Sequence, residues 1–169
     1  MPIHNEEQFL PYTLPSLYNI HPTQVILIFD RCTDRSRYIA EEISKMKKYS
    51  PEIIEINEKI GGWRWQLAYL IHYGIQQSSC EVIFVANADV VIDPIVETKI
   101  KVLENKEIGW VSFGWIDYPW KIANLFERVI QRIRTIHTPS GINYAFKRYA
   151  YEKIDIKKLM KIPRGVDQY

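Results

Sequence analysis

The feature that most constrains this chain is a set of short, almost uninterrupted apolar runs rich in β-branched residues: QVILIF (24–29), EIIEIN (52–57), EVIFVA (81–86) and IGWVSFGW (108–115). Strands apolar at nearly every position need cover on both faces, which a mostly parallel sheet flanked by helices provides. The segments between them have helical period. RYIAEEISKMKK (37–48) puts Ile39, Ile43 and Met46 on one stripe, and residues 63–77 form a second helical candidate. Alternation of strand and helix is the pattern of an α/β fold. Asp93 followed by Pro94 reads as a helix N-cap with proline at the first helical position, opening a helix to about Glu104. Asn5 with Glu6 and Glu7 reads as the start of the first helix, which Pro11 and Pro15 must kink or break.

The 169 residues fit one domain, taken as 1–169. A net charge of +2 lacks the basic excess of a protein that reads a nucleic-acid backbone, so no nucleic-acid partner is expected. Cys32 and Cys80 match no metal spacing. No run reaches the roughly 20 apolar residues that span a bilayer, and MPIHNEEQ is not a signal peptide, so the expected location is cytoplasmic. If residues 1–4 end a first strand, most of that strand is missing. The expectation is then truncation at one or both ends, with β-forming residues upstream of Pro2.

In open parallel sheets ligands bind beyond the carboxyl ends of the strands. The residues there share a character: His4-Asn5-Glu6, Asp30-Arg31-Cys32-Thr33-Asp34 and Asn87-Ala88-Asp89. A rim of carboxylates is unfavourable without a compensating cation, proton or hydrogen-bonding ligand. A few hard oxygen ligands suit Mg2+ or Mn2+ shared with substrate phosphates, which points to a nucleotide diphosphate.

PIHNEE, ILIFDRCTDRS, VIFVANADVVIDP and SGINYAFKRYAYEKI resemble, in order and spacing, the landmarks of nucleotide-diphospho-sugar glycosyltransferases of the A-type fold. These are glycosyltransferase family 2 enzymes, which include the dolichyl-phosphate mannose synthases. The resemblance covers nearly the whole chain and implies a Rossmann-like A-type domain. It implies that Pro2, His4 and Glu6 line the nucleotide-sugar pocket, that Asp30 hydrogen-bonds the base, and that Asp34 orders the next helix. Asn87-Ala88-Asp89 matches the Asp-x-Asp signature, with Asp89 the metal ligand and Asn87 in place of the first aspartate. Cofactor Mn2+ or Mg2+ is implied, with one formal charge missing. RGVDQY resembles the segment bearing the catalytic base of inverting members, with Asp167 as that base and Val166 where the family has an acid. The implied partner is a nucleotide diphosphate sugar; the acceptor (lipid phosphate, glycan or protein) is unidentified.

Alternative readings stand beside these. Asp30 and Asp34 can be turn and cap residues, Asn87 and Asp89 an ordinary Asx-turn, and Asp167 a solvated tail residue. His137 is more readily a loop histidine than a metal ligand, and His72 has no assigned partner. Trp63, Trp65 and Tyr69 are expected in the core. The stretch YPWKIANLFERVIQRIRT, from Tyr118 to Thr135, reads either as a helix packed on the sheet or as a basic amphipathic helix in peripheral contact with the inner face of the membrane. Two rivals to glycosyl transfer are a sugar-1-phosphate nucleotidyltransferase, disfavoured by the absence of a glycine-rich phosphate loop, and a non-catalytic copy that binds a nucleotide or protein partner without turnover.

Overall fold

A computed structural model describes residues 1–113 and 143–153. The elements run β1 (Pro2–Ile3), α1 (Leu10–Tyr18), β2 (Ile26–Asp30), α2 (Ser36–Met46), β3 (Glu52–Ile56), α3 (Trp63–Gln77), β4 (Val82–Val85), α4 (Ile95–Ile100) and a 3-10 turn (Lys101–Glu104). They continue with β5 (Trp110–Phe113), β6 (Asn143–Lys147) and α5 (Arg148–Glu152). The α/β class expected from the sequence is what the chain adopts. Parallel pairing joins β1, β2 and β3, with Ile3 beside Phe29 and Ile28 beside Ile54. The other three strands form an antiparallel sheet in the order β4-β6-β5. β6 was not among the strands expected, although NYAFK lies inside a stretch singled out as a landmark.

Strand alternation explains why both faces are apolar. Leu27 and Phe29 of β2 join a buried cluster with Leu10, Leu14, Leu17 and Ile43 of α1 and α2. Ile28 faces the other way, where its Cδ1 lies 2.8 Å from the point a Cβ on Gly74 of α3 would occupy. In the second sheet Phe84 and Ala145 extend the first cluster, while Val85 and Phe146 meet Ile75 of α3. Burying each such leucine or phenylalanine contributes about 1.5–3 kcal/mol.

α1 starts later than expected. Asn5 stands in the left-handed region (φ 57°) and begins a turn, and the helix opens at Leu10. Pro11 falls in its first turn, where a missing N–H costs nothing. Pro15 remains inside the helix, tolerated because Leu10, Leu14, Leu17 and Tyr18 are buried around it. Before α4 the Asp93 carboxylate accepts from the Ile95 N–H at 2.9 Å, but Pro94 takes the cap position, so the helix opens one residue later than expected and gives way to the 3-10 turn after Ile100.

The aromatic residues of α3 depart from expectation. Trp65 stays 37% exposed, and Tyr69 lies against Tyr73 rather than in a buried cluster. The Trp63 side chain is outside the description. The helix buries Gln66, Leu70 and Ile75 instead. His72 does have a partner, the Tyr151 hydroxyl at 2.6 Å, which ties α5 to α3.

β1 is only two residues long, and the Met1 amine beside it is buried. It donates to the Ile26 carbonyl at 2.8 Å, and burial lowers its pKa to about 5. A cavity of about 390 Å³ adjoins it, lined by both sheets and α3; of the candidate site residues it includes Pro2 alone. Among the described residues no helix is long and apolar enough to cross a membrane.

Candidate functional site

Three strand ends converge on one rim. β1 and β2 are parallel neighbours, so His4 and Asp30 leave the same edge of the sheet, and the His4 ring nitrogen Nδ1 lies 2.6 Å from the Asp30 carbonyl oxygen. The loops that follow are interlaced. The Thr33 N–H donates to the Asn5 Oδ1 at 2.8 Å, the Glu7 N–H to Asp34 Oδ2 at 3.0 Å, and the Arg35 N–H to Glu7 Oε2 at 3.0 Å. The Glu6 N–H donates to Oγ of the fully buried Ser36 at 2.7 Å. Burial acts to raise the Asp34 carboxyl, but hydrogen bonds from Ser36 and Glu7 overcome it and leave the group below its ordinary range. Asp34 therefore orders the entry to α2.

The segment after β4 is held by its backbone. Thr13 Oγ1 donates to the Ala88 carbonyl at 2.7 Å, and the Ile92 N–H donates to Ser16 Oγ at 2.8 Å. Buried Asn143 of β6 accepts from the Asn87 N–H at 2.9 Å. Asp89 is exposed, and among the described residues neither its carboxylate nor the Asn87 amide has a hydrogen-bonding partner.

The Glu6 carboxyl lies within electrostatic reach of both other loops. Burial raises its pKa first, and the negative charges of Asp89 and Asp34 raise it further, against a smaller opposing effect of His4. Carboxylates from the first, second and fourth strand ends thus feel one another. Such a rim favours a cation or a donor-rich ligand.

Asp30 is differently placed. Its side chain is buried and accepts from Arg31 Nε (2.8 Å, Oδ1), Arg31 Nη2 (2.8 Å, Oδ2) and Gln66 Nε2 (2.8 Å, Oδ1). The Arg31 fork is the main cause holding this carboxyl below its usual range; burial opposes it and Gln66 assists. Gln66, itself buried, also donates to the Glu58 carbonyl at 3.1 Å and accepts from the Ile60 N–H at 2.6 Å.

Arg31, Gln66, Ser36 and Asn143 were not anticipated as site residues. Asp167, Val166, His137 and the stretch 118–135 lie outside the described residues. Among the described residues no three His, Cys, Asp or Glu side chains form a group able to hold a metal.

The family model for glycosyl transferase family 2 matches residues 1–155. The chain belongs to glycosyl transferase family 2. Solved structures similar to this family 2 chain include a mannosyltransferase from Pyrobaculum calidifontis in complex with GDP-Man and Mn2+, at 17% identity and a TM-score of 0.68. That match covers 89% of this chain and 44% of the other. TarS from S. aureus matches at 15% identity and a TM-score of 0.65, over 92% of this chain and 29% of that one. Glucosyl-3-phosphoglycerate synthase from Mycobacterium tuberculosis, in complex with UDP, matches at 14% identity and a TM-score of 0.53, over 88% and 55% respectively. These likenesses show the shared fold, and this chain spans about half or less of each of those proteins. No curated protein matches the chain.

Proposed function

We propose that this family 2 chain transfers a hexosyl group from a nucleotide diphosphate sugar to an acceptor hydroxyl or phosphate, with inversion at the anomeric carbon. The observation that carries this reading is the meeting of three strand ends at one acidic rim: Glu7 and Asp34 tie the β1 loop to the β2 loop, and α1, which follows the β1 loop, holds the segment after β4 through Thr13 and Ser16. The donor's diphosphate lies over this rim, with Pro2, His4 and Glu6 on the nucleotide side.

The residues present fit a divalent ion in the sparse way Mg2+ and Mn2+ accept, through one or two protein oxygens plus diphosphate oxygens and water. Asp89 would hold it, with the Asn87 amide oxygen as a neutral second ligand. Bound there, such an ion supplies Lewis acidity to the departing diphosphate. The reaction itself is a displacement. The acceptor gives its proton to a carboxylate base and its oxygen bonds to the anomeric carbon, while the bond from that carbon to the diphosphate breaks. Asp167 is the base in this reading.

Asn87 favours a second reading, in which a weakened metal site leaves a domain that binds nucleotides without turnover. One assay separates the two. Folded protein is given uridine and guanosine diphosphate sugars with Mn2+ or with a chelator, and release of nucleoside diphosphate is followed with and without candidate acceptors. Metal-dependent release is the expected result. Binding without release from any donor would leave the second reading, and neither binding nor release would remove both.

A further inference from the structure

The residue following β2 turns the usual logic of a strand-end carboxylate around. Arg31 has a left-handed backbone (φ 48°), a conformation rarely adopted by a residue with a side chain, and its N–H is anchored to the Ile56 carbonyl at 2.9 Å. In this turn the guanidinium comes back onto Asp30 of the same loop. The pairing uses one edge of the guanidinium, Nε and Nη2, against both carboxylate oxygens. Gln66 Nε2 also donates to Oδ1, and His4 Nδ1 lies 3.7 Å from Oδ2. The carboxylate is nearly enclosed, with 6% of its side chain exposed, whereas Arg31 keeps 32% of its own. What faces out at the end of β2 is therefore the second edge of a guanidinium. Its Nη1 and Nη2 hydrogens have no further partner among the described residues.

That edge is a fork of two donors with no acceptor. It matches a base that offers two adjacent acceptors. Guanine does so at O6 and N7, the pair that arginine forks most often engage. Cytosine does so at N3 and O2. Uracil flanks each carbonyl with an N–H or a carbon, and adenine sets N7 beside an amino donor, so neither fills both positions. We infer that Arg31, locked by Asp30 and Gln66, is the specificity-determining residue for the donor base and selects a guanine- or cytosine-type pair of acceptors over uracil and adenine. Asp30, which the family resemblance implies hydrogen-bonds the base itself, is on this inference a positioning residue, as is Gln66. They hold the fork in one plane, so that it meets the base without losing further rotamer freedom.

The inference rests on the nucleotide-sugar reading above, and one experiment separates their failures. Isothermal titration of the 169-residue protein with guanosine, cytidine, uridine and adenosine diphosphates, all with Mn2+, reads the base preference directly. The guanosine or cytidine diphosphate is expected to bind about tenfold or more tighter than the uridine and adenosine compounds, the scale of one good bidentate pair. Which of the two leads tells guanine from cytosine. Arg31→Lys keeps the charge but not the fork, and is expected to bring the four affinities close together while all still bind. Circular dichroism verifies that the variant is folded, and the wild-type ratios test the inference without any variant.

Uridine diphosphate binding as tightly as the others would overturn it. So would an Arg31→Lys variant with unchanged ratios, or one that weakens all four compounds equally, which would make Arg31 a phosphate ligand. An Arg31→Ala variant that gains affinity for uridine diphosphate would show Arg31 to be a cover over Asp30, and would also overturn it. If no nucleoside diphosphate binds the folded wild-type protein, the nucleotide-sugar reading falls and this one with it.

Discussion

The loops after β1 and β2 and the loop after β4 border the same rim but are built in opposite ways. In the first pair the side chains are already engaged: Asn5, Glu7 and Asp34 accept backbone N–H groups across the two loops, and Asp30 is held by Arg31 and Gln66. In the second it is the backbone that is engaged, by Thr13, Ser16 and Asn143, while the side chains of Asn87 and Asp89 project without partners among the described residues. A pre-formed wall beside an open pair of oxygens divides the work of a site. In the function proposed above, the wall would set which ligand fits, and the open pair is where a divalent ion or water would bind.

The largest expected effect follows from removing the open carboxylate. Asp89→Ala should lower nucleoside diphosphate release on the order of a hundredfold or more, the scale of losing one charge-stabilising group in an active site. The melting temperature should hardly move, because Asp89 is exposed and its loop is fixed through other residues. A large drop in melting temperature would mean that the two regions are not built differently after all.

Ser36→Ala addresses the wall. It strips the Glu6 N–H of its partner at a fully buried position and is expected to cost about 1–3 kcal/mol in urea unfolding. Metal-dependent nucleotide binding should weaken less than stability does, since the loop of Asp89 is pinned from α1 and β6.

The smallest effect is one of pH. Asp30 has a lower pKa folded than unfolded, so the folded chain binds fewer protons through that range. The stabilisation is complete above the ordinary aspartate value near 4 and is lost as pH falls through the lowered one. Asp30→Asn should therefore flatten the acid limb of a stability profile measured by urea titration below about pH 4. Glu6, whose pKa is raised, has the opposite sign: its contribution declines as pH rises through the carboxylate range. An acid limb unchanged by Asp30→Asn would mean that the Arg31 pairing contributes nothing to stability.

Much of the rim was legible in the sequence because strand ends are. Apolar runs terminate abruptly at Asp30 and at Asn87, and the rule that ligands lie beyond the carboxyl ends of parallel strands makes those residues candidates. What supports them was not legible. Gln66 is one polar residue in an aromatic-rich helix, and nothing local says that its amide reaches Asp30 across 36 positions. Asn143 is equally remote from Asn87. Arg31 stands among the rim residues in the sequence, but the left-handed φ that turns its side chain onto Asp30 has no sequence signature at a non-glycine residue. The late start of α1 could have been read from Pro11, whose place in a first turn is favourable while a longer helix from Asn5 would put it in the interior.

The place of β6 at the centre of the antiparallel sheet has a kinetic consequence. β4 and β5 both pair with it and not with each other, so Phe84 stays without its ladder neighbour until Ala145 arrives. The entropy of bringing together strands so far apart in the chain is lost before any strand pairing offsets it, which favours a slow, late formation of this sheet. Asn143 comes with the same strand and fixes the Asn87 N–H. A nascent chain that stops short of β6 can thus hold the loop bearing Asp89 from α1, through Thr13 and Ser16, but lacks its third anchor, Asn143.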